Sequence, residues 1–143
     1  MKKRAVTKKS KSKTRKPVKK TYTHHPDHYN RSEIFLIDNK APDLQEAWFK
    51  IREFGEAQGP KKIYASGRAI MFSKKVCYFF VRPKKTFLET VVFLSDKKLR
   101  DGFSTVRPST KTKFAHTFKL VHADQVEGAL TDALNQAFEE TPD

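Results

Sequence analysis

The residues most able to do chemistry are cations. Lys2, Lys3, Arg4, Lys8, Lys9, Lys11, Lys13, Arg15, Lys16, Lys19 and Lys20 fall within the first twenty positions, which hold no Asp or Glu. That stretch carries +11 of a whole-chain formal charge of +14 and leaves the remainder near +3. Each Lys or Arg that reaches a phosphate releases condensed counterions, so a dense run of like charge is a ligand for DNA or RNA. An anionic membrane is the rival target. The run lacks the aromatic or leucine anchors of an interfacial helix, however.

A second, weaker set of candidates is Arg68, Arg82, Lys84 and Lys85, which join Lys74 and Lys75 at strand ends and turns. Tyr64, Phe72, Tyr78 and Phe80 lie between them. A sheet with exposed aromatics and a basic border can stack bases, as single-strand binders do. The plainer reading is a Phe-rich core with Lys at the turns for solubility and edge protection.

Other reactive side chains point to little. His24, His25, Asp27 and His28 have ligand-type groups, but Pro26 interrupts them and no second cluster follows nearby. They read as a polar connector, and neither a metal site nor a cofactor is expected. His116 and His122 fall on the inward side of an alternating strand, where catalysis would need a partner and a pocket. Cys77 has Lys74, Lys75 and Arg82 in sequence reach, yet it alternates with Phe79 and Val81 as a buried strand residue would. A Gly-rich phosphate loop, HExxH and GxSxG are all missing, so a non-enzymatic protein is expected.

The elements that must position these groups begin after the cationic run. With 143 residues there is room for one domain once the arm is set aside. Residues 1–22 are too polar to offset ordering entropy and are expected to be disordered when free. Residues 23–41 read as a connector with a short apolar run, EIFLID, that is either a strand or a turn of helix. A single domain over 42–140 then opens with a helix at about 43–57, where Leu44, Ala47, Trp48, Ile51 and Phe54 form one stripe. Strands are expected at 65–73, 76–82, 87–94 and 114–122, with a long polar loop over 95–112. Asp124 is placed to cap a last helix across 125–139. The fold class is α+β: a four-stranded antiparallel sheet with two helices on one face.

From about Leu44 to Phe138 the chain resembles a family of small, mostly bacterial domains of unknown function. The likeness rests on the amphipathic helix ending at Gly59-Pro60 and on Ser66-Gly67-Arg68-Ala69-Ile70-Met71-Phe72. It continues through Cys77-Tyr78-Phe79-Phe80-Val81-Arg82-Pro83-Lys84-Lys85 and Phe114-Ala115-His116. The resemblance implies an α+β fold with a small antiparallel sheet, and it implies no activity. The arm is not part of it.

The single cysteine excludes an internal disulfide, and no apolar run approaches the roughly 18 residues of a membrane span. A cytoplasmic protein, with nucleoid association in reach, is therefore expected. Its leading function is non-specific binding of DNA or RNA through the arm. The alternative is a protein-interaction or small-ligand module built on the sheet, self-association included, with the arm serving targeting or solubility.

Overall fold

Asn30 starts the first helix because its side chain accepts the Glu33 amide at 3.1 Å while the Glu33 carboxylate takes the Asn30 amide at 3.3 Å. Such a reciprocal cap is worth about 1 kcal/mol. The resulting helix α1 spans Arg31–Ile37 in a computed structural model that describes residues 28–143. The cations of residues 2–20, the arm expected over 1–22, and His24, His25 and Asp27 lie outside the described residues.

Helix α2 (Pro42–Ala57) begins with Pro at its first turn and Asp43 against the positive end of the helix dipole. Arg52 on α2 binds the Glu33 carboxylate through Nε at 2.7 Å and Nη2 at 3.3 Å. Both side chains are buried, and the guanidinium also lies 4.1 Å from the centroid of the Tyr29 ring. This bidentate pair bolts α1 to α2, since an unpaired charge in either position would be strongly destabilising.

Six strands follow: β1 (Lys62–Ser66), β2 (Ala69–Ser73), β3 (Cys77–Pro83), β4 (Leu88–Leu94), β5 (Thr105–Pro108) and β6 (Phe114–Leu120). They pair antiparallel throughout, in the order β1-β2-β3-β4-β6-β5. Register aligns Phe72, Phe79, Val92 and His116 in one row across β2, β3, β4 and β6, all fully buried. Helix α2 comes close at Gly55, where an added Cβ would sit 2.6 Å from the Phe72 ring. Only glycine permits that approach, and the Phe72 and Phe79 rings stack 4.2 Å apart beneath it. Helix α3 (Ala129–Glu140) buries Leu130, Ala133, Leu134 and Ala137 in the same core.

The α+β class stands, but among the described residues the sheet has six strands rather than four, and there are three α-helices rather than two. The run at 65–73 is not one strand. Gly67, at φ +61°, turns the chain between β1 and β2 in a two-residue hairpin loop. The polar segment 95–112 hides β5, an edge strand that is mostly exposed and ends at Pro108. An edge strand needs no buried alternation and tolerates Pro, so it leaves little trace in hydropathy. The apolar run at 33–38 is helical, as α1. Asp124 does not cap α3: it lies in a short 3₁₀ turn, Ala123–Gln125, and Gly128 precedes the helix.

Candidate functional site

Three turns meet at one end of the sheet. The β1–β2 loop carries Arg68, which is exposed. The β3–β4 turn is closed by the Lys84 amide donating to the Phe87 carbonyl at 2.8 Å, and it presents Lys84 and Lys85. The α1–α2 connector holds Lys40, and Gln45 Nε2 fixes it by donating to the carbonyls of Asp38 at 3.1 Å and Lys40 at 2.8 Å. Between them runs a groove of about 370 Å³, lined by Asn39, Lys40, Ala41, Arg68, Arg82, Pro83, Lys84 and Lys85.

The lining has five cations and no carboxylate. Arg82 is partly neutralised, since its Nη1 lies 3.1 Å from the Glu89 carboxylate and its guanidinium 5.1 Å from the Phe80 ring. Among the described residues, Lys40, Arg68, Lys84 and Lys85 form no ion pair with a carboxylate. Like charges gathered without compensation oppose folding and raise the local concentration of anions. Chemically, the groove can bind phosphate or carboxylate groups.

All four weaker sequence candidates (Arg68, Arg82, Lys84 and Lys85) therefore converge on one groove. The aromatic half of that expectation is corrected in part. Phe72 and Tyr78 are fully buried: Phe72 stacks on Phe79, and the register shift after Phe72 accompanies a Tyr78 ring packed 5.3 Å from that of Phe138. Tyr64 and Phe80 stay half-buried on the opposite face, with Lys62 Nζ 4.6 Å from the Tyr64 centroid. Lys74 is engaged elsewhere, donating to the Phe138 carbonyl at 2.8 Å.

Sequence reasoning missed Lys40 and Phe35. A cation immediately ahead of a helix beginning at Pro42 opposes the helix dipole, which was the available signal for Lys40. At about 100° per residue Phe35 falls about 160° from buried Ile37 on α1, and it is 81% exposed. Reading EIFLID as a helix would have exposed it at once.

The remaining candidates are structural in their surroundings. His116 is sealed in the core, its Nε2 donating to the Asp96 carbonyl at 2.7 Å. Contrary to expectation His122 is not inward-facing: it is half-exposed, and its Nδ1 accepts the Asp124 amide at 3.2 Å. The Cys77 thiol is pushed up by burial, which outweighs hydrogen bonds from its neighbours, so it is not primed as a thiolate. His28 lies 3.0 Å from the Glu56 carboxylate. Among the described residues no three His, Cys, Asp or Glu side chains gather as metal ligands, and no helix is long and apolar enough to cross a membrane.

A second polar cluster occupies the opposite end of the sheet, after β4. Asp96 pairs with Arg100 at 2.8 Å, and Glu140 with Lys113 at 3.2 Å. Gln136 donates to both acids, at 3.2 and 2.7 Å. Burial works against ionisation of Glu140, but hydrogen bonds from Gln136, Ser95 and Lys113 outweigh it and hold the carboxyl at about 2. Asp96 is likewise held below its usual range, against burial, by Gln136, the Lys98 amide and Arg100.

No curated protein and no solved structure matches the chain. Residues 35–141 match the family described as a domain of unknown function, DUF5655, and the chain belongs to that family.

Proposed function

We propose that the protein is a non-enzymatic nucleic-acid binder whose N-terminal cations supply most of the affinity, with little sequence preference. The observation that carries this reading is the charge of +11 within twenty residues, undiluted by any acid. The five-cation groove supports it, because it gives the domain a second polyanion-binding surface that is poorly compensated within the fold. In this reading the arm captures the phosphate backbone, and Lys40, Arg68, Arg82, Lys84 and Lys85 continue the track. Phosphate contacts of this kind fix position without reading bases. The site of action would be the cytoplasm or nucleoid.

The test is a salt titration of binding to labelled duplex DNA and single-stranded RNA, using the full chain and a version starting at Thr23. If about half of the arm cations engage, log K should fall with log salt with a slope of about −4 to −6. Non-specific affinity should lie at about 10⁻⁴ to 10⁻⁶ M at physiological salt. Removing the arm should flatten most of that slope. Absence of binding by either version would discard the reading. A protein or small-ligand partner would then be sought on the opposite sheet face, where Tyr64, Phe80 and Phe93 are half-buried.

A further inference from the structure

The cationic groove does not end at Lys40. It runs into a wider trough of about 1310 Å³ along α1, and the two share Asn39, Lys40, Arg68 and Pro83. Phe35 stands on the trough wall, 81% exposed, with Arg31 on the same helix. Among the described residues Asp38 is the only acid in its lining. A large aromatic ring held in solvent beside a run of cations contributes little to folding, because its apolar surface is not buried. The same arrangement suits a chain that offers phosphates and unpaired bases together. Flat bases stack on the ring while the backbone follows the cations.

We infer that this trough is a single-strand site: Phe35 stacks an unpaired base, and Lys40, Arg68, Lys84 and Lys85 hold the phosphates on either side. The inference rests on the nucleic-acid reading above and adds strand selectivity to it. Charge decides the occupant. A nucleic-acid strand has the sign opposite to that of the groove's cations. A duplex buries its bases in the stack and offers Phe35 no ring face, so it can use only the arm and the cations. A carboxylate-bearing polypeptide would satisfy the cations and leave the ring idle.

The experiment compares the full-length chain with full-length Phe35→Ala, Phe35→Trp and Lys84→Glu/Lys85→Glu variants. Fluorescence anisotropy measures binding to a short labelled oligothymidylate and to a duplex of matched length at physiological ionic strength. Stacking is worth ~1–3 kcal/mol per base, so Phe35→Ala should weaken the single strand by about fivefold to a hundredfold and leave the duplex unchanged. Phe35→Trp should restore single-strand affinity, and the double Glu variant should weaken both ligands. Equal single-strand binding by the parent and Phe35→Ala would overturn the inference while leaving the arm reading intact. Failure of the parent chain to bind either ligand would remove both. Polyglutamate competing as well as oligothymidylate, whatever residue stands at 35, would assign the groove to an acidic polypeptide and overturn the single-strand site.

Discussion

The charge clusters at the two ends of the sheet are compensated differently. Beyond β4, Asp96, Arg100, Lys113 and Glu140 are matched acid to base, and Gln136 donates to both acids. At the other end Lys40, Arg68, Lys84 and Lys85 have no carboxylate partner among the described residues, and only Arg82 is matched, to Glu89. Matched charges are already spent on the fold. Unmatched ones store repulsion that an incoming anion relieves. The difference teaches where to look for a ligand even in a chain with no recognisable catalytic motif.

The largest way to break this contrast is to detach the helix that walls the trough. Arg52→Ala leaves Glu33 buried and unpaired, and should cost about 3–5 kcal/mol in urea unfolding. Single-strand selectivity should vanish with it, since α1 carries Phe35.

At the matched end, Glu140→Gln should cost less, about 1–2 kcal/mol, because the site is partly solvated and some hydrogen bonds survive. Its signature is in pH. The Glu140 carboxyl is depressed from 4.5 to about 2 in the folded chain, so its contribution is complete above about pH 4.5 and is lost as pH falls toward 2. Acid unfolding of Glu140→Gln should therefore be shallower over that window, and nucleic-acid affinity at neutral pH should not change. A loss of affinity would mean that the matched end also touches the ligand.

The smallest stability effect is expected at the unmatched end. Arg68→Glu/Lys84→Glu/Lys85→Glu should move stability by no more than about 0.5 kcal/mol per site, as for exposed positions generally. Yet the salt slope of binding should shrink by about one for each phosphate that the variant no longer holds. Strong destabilisation together with an unaltered slope would reverse the roles assigned to the two ends.

How much of this was legible beforehand follows from the physics of each segment. Helix α2 announced itself through Pro42, Asp43 and a regular apolar stripe, and it occupies Pro42–Ala57. Strands β3 and β4 are dense in Val, Phe and Leu and were bounded to within a residue or so. Edge strand β5 was not legible, because Thr105–Pro108 buries almost nothing. The hairpin at Gly67 was overlooked because Arg68 looked like an ordinary strand residue rather than half of a two-residue turn. For the site, Arg68, Arg82, Lys84 and Lys85 were legible as strand-end cations. Their convergence with Lys40 was not, because strand order and the placement of α1 are set by long-range pairing. Phe35 was hidden by a seven-residue helix too short to show its period.

The most direct measurement of the central claim is an amide chemical-shift titration of the full-length protein with short oligothymidylate. Shifts should cluster in the N-terminal arm and at Phe35, Lys40, Arg68, Lys84 and Lys85, while Ser95, Asp96, Arg100 and Lys113 stay fixed. Shifts centred on the matched end, or none anywhere in the domain as the arm saturates, would contradict the claim that uncompensated charge marks the binding surface.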